Sequence, residues 1–94
     1  MFVILLTYVK PLDQIAPHRQ AHEEFILHHC AAGDFVMSGC RDPLVGGVIL
    51  AQGRRREVER IMDDDPLRRA GVADYEMLEF TPSMAAEGLR QYIH

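Results

Sequence analysis

Residues Phe2 to Val9 are apolar on both sides of a two-residue period, with Phe2, Ile4, Leu6 and Tyr8 on one side and Val3, Leu5, Thr7 and Val9 on the other. Their β-branched and aromatic content, ended by Lys10-Pro11, predicts a strand. "PLDQIAP" (11–17) reads as a loop whose Pro17 suits the start of a helix. From His18 to Ala32 the apolar positions follow a helical period, and Gly33 closes that helix as a C-terminal cap. "DFVMSG" (34–39) and "GVILAQ" (47–52) read as second and third strands, joined through the turn "CRDPLVG" as a hairpin. A shorter helix over Arg55 to Asp64 places Val58, Ile61 and Met62 on one face. Asp65-Pro66 has the form of an N-cap followed by proline at the first helical position, so a further helical turn starts there and ends at Gly71. "VADYEMLEFT" (72–81) is the fourth strand. In the tail, Leu89, Tyr92 and Ile93 stand at helical spacing and predict a docking helix over Ser83 to Ile93.

The order β-α-β-β-α-β predicts an α+β domain of the ferredoxin-like, split βαβ type, with helices on one face of an antiparallel sheet and an extra C-terminal helix. An antiparallel sheet with one solvated face should alternate apolar with polar residues. Strands one and three do not alternate, so something covers the second face. The simplest cover is another copy of the same sheet, giving a homodimer or a higher oligomer; the C-terminal helix is the competing cover. No repeat or linker divides the 94 residues. A single domain is expected, with a core over 1–81 and a tail over 82–94.

Composition narrows the function classes. Hydrophobic residues make up 48% and charged residues 26%, the profile of an ordinary soluble domain. A net charge of −4 argues against nucleic acid as a partner, and the basic run Arg54 to Arg56 is followed at once by Glu57 and Glu59. The apolar N-terminus is too short to span a membrane and lacks the flanks of a secretory leader, so the expected location is cytoplasmic. Cys30 and Cys40 lack paired metal-ligand spacing and read as two structural thiols.

The first helix holds the densest chemistry, "HRQAHEEFILHHC" (18–30). At about 100° per residue, His18, His22 and His29 share the side of Ile15, Phe25 and Ile26, facing the protein. Polar groups on that side need partners. His18 and His22 are four apart, as in a chelating pair, but His29 lies about 10 Å beyond His22 along the axis, too far for the same ion. No HExxH or CxxC supplies further ligands, so no metal is expected. His18 and His29 read as hydrogen-bonded partners within the fold, and His28 as a surface residue.

"HRQAHEEFI", then "GDFVMSG", "GGVILA", "DDDPLRRAG" and "YEMLEF", together resemble the YciI-like (YCII-related) family. That pattern has R-x-x-H on the first helix, a small-residue turn after strand two, and Asp-Pro with a later glycine after the second helix. Arg19 and His22 match the first element, Ser38-Gly39 the second, Asp65-Pro66 with Gly71 the third, over residues 1 to 81. The family resembles the dimeric α+β barrel proteins, which agrees with the two-sided apolar strands. This chain departs from the family at Cys40, where proline is common, and in its short loop before strand three.

The resemblance implies a catalytic pair of His22 and Asp65, with Arg19, Ser38 and the backbone at Gly39 as substrate contacts and no cofactor. Imidazole exchanges a proton near neutral pH, and a carboxylate on one ring nitrogen fixes its tautomer. Family relatives include a dehydrochlorinase of a chlorinated hydroxyquinol, and muconolactone isomerases share the wider fold. The implied function is a small lyase- or isomerase-type enzyme transferring protons on a hydroxylated or anionic, aromatic-derived substrate. The alternative is a non-catalytic dimeric module that binds a small molecule or a protein. Asp63 and Asp64 read as solvated.

Overall fold

The structure is a computed structural model that describes residues 1–93; His94, the last residue of the tail, lies outside the described residues. Its elements are β1 (Phe2–Tyr8), α1 (Leu12–Ile15), a 3-10 turn (Ala16–His18), α2 (Arg19–Ala32), β2 (Phe35–Arg41), β3 (Gly46–Ala51), α3 (Arg55–Asp63), α4 (Pro66–Arg69), β4 (Ala73–Glu79) and a second 3-10 turn (Glu87–Tyr92). The four strands form one antiparallel sheet in the order β2-β3-β1-β4, the arrangement of a ferredoxin-like α+β fold.

Two segments differ from expectation. The segment read as a loop holds the helical turn α1, which sinks Ile15 into the core between Pro11 and Pro17. The tail forms no α-helix over Ser83 to Ile93: it has no regular structure from Phe80 to Ala86 and then makes the 3-10 turn Glu87–Tyr92, where Gly88 disfavours a longer α-helix.

The pleat of β1 divides the sheet into two unlike faces. Phe2, Ile4 and Leu6 are buried together with Ile49 and Ala51 of β3, Phe35 of β2, and Val72 and Ala73 at the start of β4, and Ile15, Val58, Met62 and Leu67 of the helical layer complete the core. Burying such side chains supplies about 1.5–3 kcal/mol each relative to exposure. On the opposite face Val3, Leu5, Val48 and Leu50 are only half-buried, and Met37 and Leu78 are exposed. The tail reaches this open face at one end, where Val36, Leu50, Phe80, Met84, Leu89 and Tyr92 are among the residues lining a cavity of about 140 Å³.

Gly46 sets how closely β1 and β3 approach. A Cβ there would overlap the Leu6 carbonyl oxygen, and the missing side chain lets Arg41 of β2 reach over β3 to Thr7 Oγ1 at 2.7 Å and the Leu6 carbonyl at 3.2 Å. Gly46→Ala is expected to lower the unfolding free energy in urea by about 1–3 kcal/mol, as overpacked sites do. Gly39→Ala, whose Cβ would meet nothing within 4 Å, should be close to neutral in the same measurement.

Candidate active site

Asp65 is placed by backbone chemistry. Its side chain accepts the Leu67 amide at 3.0 Å, capping α4, and Pro66 supplies the preset φ of the first helical position. Tyr75 of β4 holds the preceding turn from the sheet, donating from its hydroxyl to Asp63 Oδ1 at 3.1 Å. Burial, reinforced by Asp63, raises the Tyr75 phenol above its ordinary 10.0, so it remains a neutral donor. Asp64 points to solvent near Arg69, whereas Asp65 is fully buried.

Helix α2 brings His22 to that carboxylate. His22 Nδ1 lies 2.8 Å from Asp65 Oδ1, and the His22 side chain keeps 18% of its surface in contact with solvent. A carboxylate only accepts, so Nδ1 carries the hydrogen, and Nε2 keeps the lone pair that can take up a proton. Oδ1 thus both caps α4 and meets the imidazole, and the buried Oδ2 has no hydrogen-bond partner among the described residues.

The other residues carried over from the family motif are placed differently. Arg19 is exposed, one turn before His22, and makes no hydrogen bond or ion pair among the described residues. Ser38 and Gly39 do not form a turn, because β2 stays paired with β3 as far as Arg41. Ser38 lies opposite Ile49, on the helix-covered side of the sheet, and Gly39 lies opposite Val48, on the open side. Both are exposed, and no hydrogen bond among the described residues joins either to His22 or Asp65.

A second histidine–aspartate contact lies at the other end of α2. His29 Nδ1 is 2.8 Å from Asp34 Oδ2, and the ring packs edge-on to Phe25 and tilted against Phe35. The partner was missed by sequence reasoning, although the signal was present: His29 and Asp34 flank Gly33, which ends α2 at φ 85°. That left-handed cap folds the chain back so that the Asp34 amide donates to the His29 carbonyl at 3.0 Å. His18 is half-buried without a side-chain hydrogen bond among the described residues, and His28 is exposed. Cys30 packs against the core, but Cys40 is exposed, because no helix covers the end of edge strand β2; only one of the two thiols is structural. Among the described residues, no three His, Cys, Asp or Glu side chains gather to hold a metal ion, and no helix is long and apolar enough to cross a membrane.

A family model described as the YCII-related domain matches residues 1–81. No curated protein matches the sequence significantly. Among solved structures, the chain is similar to 5-chloro-2-hydroxyhydroquinone dehydrochlorinase from Burkholderia phenoliruptrix AC1100, in complex with 2,5-dihydroxybenzoquinone. The two share 14% identity with a TM-score of 0.69, over 88% of this chain and 96% of the other. A likeness at that identity shows a common fold.

Proposed function

The chain belongs to the YCII-related domain family, and from that premise we propose that it is a small, cofactor-independent enzyme of lyase or isomerase type, acting on a hydroxylated, aromatic-derived substrate. The observation that carries this reading is the 2.8 Å contact between partly buried His22, whose ring still reaches solvent, and fully buried Asp65. Nε2 of His22 takes a proton from the substrate, and the Asp65 charge stabilises the imidazolium that forms. In a dehydrochlorination, the proton goes to Nε2, the electron pair it leaves behind forms a new double bond in the substrate, and the C–Cl bond breaks so that chloride leaves with its bonding pair. Arg19, exposed one turn before His22, is assigned to the substrate's anionic or hydroxyl groups, with Ser38 on the helix-covered side of the sheet as a second candidate; Gly39 lies on the opposite face from His22 and is given no role.

The compound in the similar protein's name supplies the test. Incubation with 5-chloro-2-hydroxyhydroquinone should release chloride catalytically above the spontaneous rate. Saturable binding without chloride release or isomerised product, from this compound or its dechlorinated analogues, would favour a non-catalytic binding module. That second reading draws on one observation: His22 and Asp65 line neither of the two described cavities.

The same proposal includes a second copy of the chain over the open sheet face. Half-buried Val3, Leu5, Val48 and Leu50 with exposed Met37 and Leu78 support it, because they form a continuous apolar strip across this face, bordered by Thr7, Arg41, Asp74 and Glu76. Sedimentation at micromolar concentration is expected to give the mass of a dimer or larger; a monomer would rule the second copy out.

A further inference from the structure

Ile15, His18, His22, Phe25, Ile26 and His29 follow one helical stripe that faces the body of the protein. Ile15 is buried in the core, Phe25 and Ile26 pack against it, and His22 and His29 meet Asp65 and Asp34. His18 is bracketed on this stripe by Ile15 and His22 and is half-buried, yet its side chain makes no hydrogen bond among the described residues. Of the three imidazoles on the stripe, it alone has no partner there. It also lies outside the R-x-x-H element, which starts at Arg19.

Four residues separate His18 from His22, so they stand one helical turn apart on the same side, with Cβ atoms about 5–6 Å from each other. Asp65 occupies Nδ1 of His22 and leaves Nε2 for the proton. A single six-membered ring seated against His22 is long enough to touch both imidazoles. Taking a proton from such a substrate drives negative charge onto one of its oxygens. An imidazole always keeps at least one ring N–H to donate. On the inward, half-buried side of the helix that donor is weakened less by water than the exposed guanidinium of Arg19.

We infer that His18 is the oxyanion contact of the site, donating a ring N–H to the substrate oxygen that gains charge as His22 takes the proton. This rests on the lyase or isomerase function proposed for His22 and Asp65. In the step, a C–H proton beside a carbonyl goes to His22 Nε2, the C–H pair forms a carbon–carbon double bond, and the carbonyl π pair moves onto oxygen. His18 keeps its own proton and holds the enolate by the hydrogen bond, so an enolisable or phenolic substrate is the class the site takes.

Two measurements test the assignment. His18→Ala should lower kcat by about 10²–10³-fold, the effect of removing one oxyanion donor, with little change in KM. His18→Gln, whose amide still donates, should recover most of that loss. Independently of turnover, imidazole ¹H–¹⁵N spectra of the whole chain are followed during titration with 4-nitrophenolate and, in parallel, with nitrobenzene. The expected result is a saturable shift of the His18 ring nitrogens with the phenolate and none with nitrobenzene. Circular dichroism reports whether each variant is folded. Wild-type turnover in His18→Ala, an equal loss in His18→Gln, no saturation by the phenolate, or shifts at His22 with His18 unmoved would each overturn the assignment. A His18 response in a chain that releases neither chloride nor isomerised product would support the oxyanion contact and count against the lyase or isomerase function instead.

Discussion

His22→Asn is expected to stay folded and to lose turnover of a hydroxylated aromatic substrate by about 10²–10⁴-fold, the range of positioned acid–base catalysis. An asparagine amide can still donate toward the Asp65 carboxylate, so the buried charge does not lose every partner. It cannot exchange a proton at neutral pH, so the group that alternates between base and acid is gone. Because the imidazole acts on the reacting proton rather than on binding, kcat should fall with little change in KM. Steady-state assays on the substrate, with circular dichroism as the fold control, make the comparison. Turnover equal to wild type would remove His22 as the acid–base group.

Substitutions at Asp65 should separate stability from catalysis. Asp65→Ala removes the α4 cap and the His22 contact together and is expected to cost about 2–4 kcal/mol in urea unfolding. Asp65→Asn keeps an oxygen at the Oδ1 position, where both hydrogen bonds converge. Its amide nitrogen takes the place of Oδ2, which has no partner among the described residues even in the native chain. The expected cost is therefore smaller, about 1–2 kcal/mol. Turnover should nonetheless fall in both variants, because neither supplies the negative charge that stabilises a protonated imidazole. Equal stability for the two variants would mean that the bonds converging on Oδ1 do little to hold α4 in place.

The legible parts of this molecule are those governed by local chemistry. Asp65-Pro66 announces a capped helical turn by residue type alone, and the apolar period of β1 and β3 predicts both the strands and the unusual second face. The meeting of His22 with Asp65, 43 positions apart, came only through a family pattern, since no local rule spans that separation. Which oxygen accepts which donor depends on the angle between α2 and α4, a property of packing rather than of residue order. Helix α1 was hidden because Leu12 to Ile15 is too short to show a period and has no side-chain cap. The tail is helical only in part: Leu89 and Tyr92, three apart, fit the 3-10 turn Glu87–Tyr92 as well as an α-helix, and the spacing does not tell the two apart. His29 reads correctly as hydrogen-bonded within the fold, but its partner does not follow from the sequence alone, because Asp34 stands at the start of "DFVMSG" and meets the ring only through the left-handed turn at Gly33.

Helix α2 differs from α3 in how it is held. Val58 and Met62 seat α3 in the core, whereas no residue of α2 is fully buried. Apolar contact is tolerant of direction, since a helix can roll several degrees on greasy neighbours at small cost. A hydrogen bond at 2.8 Å is not tolerant, and α2 has one near each end of its length, to Asp65 and to Asp34. The two imidazoles act as keys in separate slots, fixing the rotational phase of the helix about its own axis. A roll of one residue, about 100°, would disengage both at once. The aim of His22 is therefore set partly at the far end of the helix, by a pair that does not touch the proposed site.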